Sequence, residues 1–221
     1  HDRFTLSGVM QFEGVFRLFK GGHEVAGNFW SADSGINAYR FPDLNGSVIW
    51  TPWRFEVTQT RSRFYGGSLA LTYLMDPLGG KTPGTARLDA TYEGVDLEEF
   101  SDAMEFDGLR LAGRATGRNL LEWPIGSYAA HTGFGDVAIE PPPRVILRGR
   151  TLPAVLPEPS FAHVYGDPFP PLGHVPFGGE IHYAFGPEWI DLAPSRVASS
   201  TTYVEFRGQT AYGQRSTIPF H

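Results

Sequence analysis

The chain has no cysteine. That excludes disulfides, thiolate metal sites and cysteine nucleophiles together. Basic residues are in deficit: 18 Lys and Arg against 24 Asp and Glu give a formal charge of −6. A nucleic-acid binder needs a basic stripe, so nucleic acid is not an expected partner. The sequence contains no apolar run of about 18 residues, the length a bilayer-spanning helix needs, and no basic-then-apolar start of the signal-peptide kind. Charge is sparse, at 19% of residues, yet 41% are hydrophobic, which disfavours disorder. A helix-rich composition is missing as well. The 27 glycines and 18 prolines are about a fifth of the 221 residues, and both residue types weaken helix interiors.

What is present is alternation. Phe12, Gly14, Phe16 and Leu18 share one parity, as do Val48 and Trp50, Leu69-Leu71-Tyr73, and Leu88-Ala90-Tyr92. Leu109-Leu111-Gly113-Ala115, Val145-Leu147, Ile181-Tyr183-Phe185 and Val204-Phe206-Gly208 continue the pattern. Each run predicts a short half-buried strand with one apolar face. Glycines often stand on that face, where they let a strand curl. Pro42-Asp43-Leu44-Asn45-Gly46 and Gly79-Gly80 read as turns. The fold class is therefore mainly β, a curved antiparallel sheet, with one exception. From Gly94 to Met104, Leu97, Phe100 and Met104 recur at helical spacing, Asp96 can cap, and Glu98 and Glu99 suit the first turn of a short amphipathic helix near 95–105.

Composition divides the chain in three. Residues 1–140 form a first β segment and 179–221 continue it. Residues 141–178 hold ten prolines, which reads as an extended crossing segment anchored by Phe161, Tyr165 and Phe169, with Val145-Ile146-Leu147 its one strand candidate. Residues 46–61 and 179–196 look like one supersecondary unit used twice, and Phe-x-Gly triplets recur at Phe12, Phe64, Phe106 and Phe206. The chain begins at His1 without an initiator methionine and stops at Pro219-Phe220-His221 without a polar tail, which suggests a segment of a longer polypeptide.

Motifs for chemistry are weak. Leu78-Gly79-Gly80-Lys81-Thr82 imitates the end of a phosphate loop, but Met75 stands where the first glycine is needed. Of the acids from Asp89 to Asp107, Glu98, Glu99, Asp102 and Glu105 lie on the predicted helix, mostly opposite its apolar stripe, which reads as a solvated face. His163, His174 and His182 match no metal-ligand spacing, and Ser195 and Ser199 have no base placed by motif. The expectation is a non-enzyme with no cofactor and no metal. The five tryptophans and nine tyrosines suit a core, an apolar channel, or stacking on sugars.

Several phrases together resemble a known family. Phe64-Tyr65-Gly66-Gly67-Ser68-Leu69 is similar to the aromatic-Gly-Gly strand of AsmA-like and TamB-like bacterial envelope proteins. Gly94-Val95-Asp96-Leu97 followed by Leu109 to Gly117 resembles their helix and next strand, as does Phe206-Arg207-Gly208-Gln209-Thr210 before Ile218-Pro219-Phe220. The likeness covers roughly residues 40–125 and 175–220; the proline-rich middle has no counterpart. It implies an inner-membrane-anchored parent that crosses the periplasm. In such a parent a U-shaped groove carries phospholipid acyl chains toward the outer membrane, with envelope assembly proteins as possible partners. On that reading the lining is Val48, Trp50, Leu69, Leu71, Leu88, Leu109, Leu111, Ile181, Tyr183, Val204 and Phe206. The competing expectation is a β-sandwich adhesion module that recognises glycan at a cell surface.

Overall fold

The computed structural model describes residues 5–104, 111–141, 144–147, 150–153, 175–176, 178–198 and 203–211. Period-two patterning becomes strands almost throughout. β1 (Leu6–Gly8), β2 (Gln11–Phe19), β3 (Gly22–Ile36), β4 (Tyr39–Trp50), β5 (Phe55–Phe64), β6 (Gly67–Asp76) and β7 (Thr85–Asp96) lead into helix α1 (Leu97–Met104). β8 (Leu111–Ala112), β9 (Arg114–Pro124) and β10 (Thr132–Glu140) follow. β11 (Arg144–Leu147), β12 (Arg150–Pro153), β13 (Val175–Pro176), β14 (Gly178–Phe185), β15 (Trp189–Ala198) and β16 (Tyr203–Ala211) complete the order.

Twelve strands form one open antiparallel sheet. Its order is β1-β3-β4-β5-β6-β7-β9-β10-β14-β15-β16, with β2 also on β3. The fold is mainly β with one short helix. A second sheet packed face to face, as a sandwich has, is not found among the described residues.

β10 pairs directly with β14. The proline-rich stretch therefore leaves the sheet and re-enters beside the strand it left, and the stretches before and after it share one sheet. Within it β11 and β12 form a small hairpin, and β13 pairs in parallel with β8. Phe161, Tyr165 and Phe169 lie outside the described residues.

Three expectations change. Pro42 to Gly46 is not a turn but the middle of β4. Asp43 takes a left-handed φ of 55° there, Asn45 Nδ2 donates to its carbonyl at 2.9 Å, and the β4–β5 register shifts between Asn45 and Ser47. Turn-type residues have served a strand irregularity instead. Leu111 does not begin the strand that contains Ala115: it belongs to β8, off the large sheet, and β9 starts at Arg114. The Phe-x-Gly triplets occupy unlike places. Phe64 ends β5 before a turn, whereas Phe12 and Phe206 lie inside β2 and β16. The two similar stretches do both form adjacent antiparallel strands, β4–β5 and β14–β15.

The helix forms for the reasons its sequence suggests. Asp96 Oδ1 accepts from the N–H groups of Glu98 at 3.0 Å and Glu99 at 3.4 Å, satisfying donors that the first turn leaves open. Leu97 is buried, Phe100 and Met104 are half-buried, and Glu98 and Glu99 are exposed. Below the helix lies the core cluster: Val95, Leu97, Ala115 and Ile139, with Phe64, Tyr65, Tyr92, Phe100, Val137 and Ile181 packed around it. Asp96→Ala should destabilise the fold by about 1 kcal/mol. The expected readout is a lower urea midpoint with unchanged cooperativity.

Candidate functional site

Residues directly opposite in an antiparallel ladder share a face, so the register sorts the side chains. One row runs Val48, Val57, Tyr73, Leu88, Leu121. The next runs Leu71, Ala90, Asn119, Gly135, Tyr183. A third runs Leu69, Tyr92, Gly117, Val137, Ile181. Trp50 shares the parity of Val48 and pairs with Phe55. Val48, Trp50, Leu69, Leu71, Leu88, Ile181 and Tyr183 thus stand on one face of one sheet. Leu69 is buried and Trp50 is 46% exposed; the other five are half-buried. Val204 and Phe206 occupy register positions opposite Val197 and Ser195, but their side chains lie outside the described residues, as does that of Leu111 and the whole of Leu109.

This face is concave. Phe64 on β5 and Ile181 on β14 have four strands between them, a span of about 24 Å in a flat sheet, yet both pack around the one core cluster of Val95, Leu97, Ala115 and Ile139. Glycines allow the floor to close in. A Cβ on Gly117 would meet the Tyr92 hydroxyl, and a Cβ on Gly135 would meet the Tyr183 ring and Asn119. Each tyrosine therefore lies flat over the glycine opposite it.

Along its length the face changes character. At one end α1 and the core cluster cover it. In the middle, the Tyr183 hydroxyl donates to Asn119 Oδ1 at 2.6 Å. At the other end aromatic rings follow one another: Tyr73 stacks on Trp123 at 6.0 Å, Trp123 meets Tyr128 at 5.1 Å, and Tyr128 stacks on His131 at 4.8 Å. Sequence reading missed Tyr92, Asn119, Leu121 and Trp123. Tyr92 was legible from the alternation after Leu88. The β9 residues were hidden by the adjacent pair Leu120-Leu121, which blurs the parity.

The opposite face is charged. Arg118 pairs with Asp89 through Nε at 2.7 Å and Nη2 at 2.5 Å. That pairing holds the Asp89 carboxyl below its usual range, against the opposing effect of partial burial. Arg87 pairs with Glu122 at 3.2 Å, and His182 Nδ1 sits 2.6 Å from Asp136 Oδ1. A wide-mouthed depression of about 600 Å³ on this face is bounded by Arg61, Ala70, Thr91, Arg118, Asp136 and His182. Short side chains between long charged ones produce it, and two of its walls are already paired, Arg118 with Asp89 and His182 with Asp136.

Of the three histidines weighed for metal, only His182 is described, and no metal-binding cluster occurs among the described residues. The glycines at 79 and 80 lie in the loop between β6 and β7, not before a helix as a phosphate loop requires. No described helix is long and apolar enough to cross a membrane. Comparison with known protein families, with curated proteins and with solved structures gives no match to this chain.

Burial is the largest effect pushing up the phenol pKa values of Tyr92, Tyr183 and Tyr73. Each binds its proton more tightly folded than unfolded. The stability this contributes is complete below about pH 10, the unfolded value, and is lost as pH rises toward the folded values. Alkaline titration followed by tyrosinate absorbance should show a group of phenols ionising together with unfolding. Tyr183→Phe should flatten the alkaline stability loss while costing about 1 kcal/mol near neutrality, for the hydrogen bond to Asn119.

Proposed function

We propose that the concave apolar face is a binding groove for acyl chains, through which the protein holds or passes phospholipid. The observation that carries this reading is a continuous apolar face that, beyond the end under α1, no second layer covers among the described residues. Its side chains are mostly half-buried, and no large side chain there is completely buried. Water against such a surface is displaced favourably by a hydrocarbon chain, at about 0.8 kcal/mol for each CH₂ fully transferred. Movement along the groove needs no reactive group, only similar contacts at successive positions. The Tyr183–Asn119 hydrogen bond offers polar atoms within that path, suited to the oxygen atoms of an ester or headgroup. The resemblance to AsmA-like and TamB-like proteins agrees with this chemistry and would set it in the bacterial periplasm, within a membrane-anchored parent.

The test uses parity. Leu71 and Ala70 are neighbours on β6 that point to opposite faces. Wild-type protein should bind a fluorescent fatty acid. Leu71→Asp should weaken binding by more than about tenfold, because the chain must then lie against an unpaired charge, while the β spectrum in circular dichroism is retained. Ala70→Asp should leave binding unchanged. No binding by the wild type would overturn the proposal. So would unfolding of Leu71→Asp together with wild-type indifference to the probe, since that marks a closed core.

A further inference from the structure

β2 is an edge strand with none of the usual protection. Edge strands are commonly short, broken by proline or studded with charge, because their free N–H and C=O groups invite another strand. β2 is nine residues long, lacks proline, and is exposed at every position. Its outer side has no neighbour among the described residues. Val15 is 51% exposed, Phe16 62% and Leu18 77%.

We propose that β2 is a self-association strand on which a second copy of this chain docks antiparallel, with the two-fold axis at Val15. This rests on the strand edge and does not depend on what the groove binds. In that pairing, residues whose numbers sum to 30 stand opposite one another. Glu13 of each copy then faces Arg17 of the other, whose guanidinium also holds Glu24 of its own chain at 3.0 Å, giving two opposite-charge contacts across the interface. Phe12 faces Leu18. Phe16 faces Gly14, repeating a rule the sheet already follows: Phe29 opposite Gly46, Tyr92 opposite Gly117 and Tyr183 opposite Gly135. Moving the axis to Gly14 or Phe16 loses this match: Glu13 then faces Val15 or Phe19 rather than a cation. An axis at Val15 also keeps Phe12, Gly14, Phe16 and Leu18, the residues in line with Phe29, Gly27 and Val25, on the same side in both copies. The two concave faces become one continuous surface.

The absence of native cysteine makes cross-linking a clean test on the full chain. Val15 would lie about 4.5–5.5 Å from its own copy between Cα atoms, within disulfide range. Leu18 would lie about 20 Å from its own copy. Under mild oxidation Val15→Cys should give a covalent dimer and Leu18→Cys alone should not. An equimolar mixture of Phe12→Cys and Leu18→Cys should cross-link. In sedimentation the wild type should show a dimer. Glu13→Arg, which leaves the Arg17–Glu24 pair of each chain in place, should weaken it by at least tenfold. A wild type that remains monomeric overturns the proposal and leaves the edge to a strand of a different protein. Equal cross-linking of Leu18→Cys alone and Val15→Cys overturns it too, since no two-fold pairing at Val15 permits both.

Discussion

In β5, β7 and β15 the chain carries one residue more than the neighbouring strand: between Val57 and Thr60, between Tyr92 and Val95, and between Leu192 and Ser195. An uncompensated extra residue would send every later side chain to the other face. Here each is absorbed locally. Gln59 and Gly94 take left-handed φ values of 54° and 63°, and Pro194, which has no N–H to give a ladder, falls inside the third irregularity. After each bulge the strand resumes with its former face. Keeping one parity apolar through three interruptions is the constraint on which the groove depends. The bulges also increase local twist, which helps a wide sheet wrap around its own apolar side rather than lie flat.

Burial is uneven because there is one layer. The buried apolar cluster lies at the end where α1 sits on Val95, Ala115 and Ile139, and at the aromatic end Ala86, opposite Trp123, is buried as well. Elsewhere the sheet shelters its apolar side only by curvature and by aromatic rings laid across glycines. The charged face has the complementary arrangement. Its cross-strand ion pairs are exposed, each worth at most about 1 kcal/mol, so they set which side meets water more than they stabilise the fold. A surface that is apolar, concave and half-sheltered is costly to leave wet. On the proposed reading, that cost is what a bound hydrocarbon chain would remove.

Most of this could be read from the residues. Alternation located the strands, and the spacing of Leu97, Phe100 and Met104 with Asp96 ahead of them located the helix. Parity within a strand was legible too: seven chosen lining residues fall on one face. The failures share a cause. Asp43 and Gly46 are turn residues by chemistry, and local sequence does not show that long-range pairing with β3 holds them in a strand. Leu111 has strand-like neighbours, yet pairs with Val175, some sixty residues away, for which no local pattern exists. The Tyr183–Asn119 hydrogen bond was invisible because it joins β14 to β9 through the sheet order, and β14 follows a 37-residue gap after β10.

The tryptophans allow a direct measurement of which face a lipid touches. Trp50 and Trp123 stand on the apolar parity, whereas Trp30 and Trp189 have the opposite one, next to Phe29 and Ile190. Variants keeping a single tryptophan, the others replaced by phenylalanine, can be titrated with a fatty acid brominated along its chain, which quenches indole emission only at close range. The account predicts saturable quenching of Trp50 and Trp123 with Trp30 and Trp189 unaffected. Equal quenching of all four, or none at any concentration below micelle formation, would contradict it.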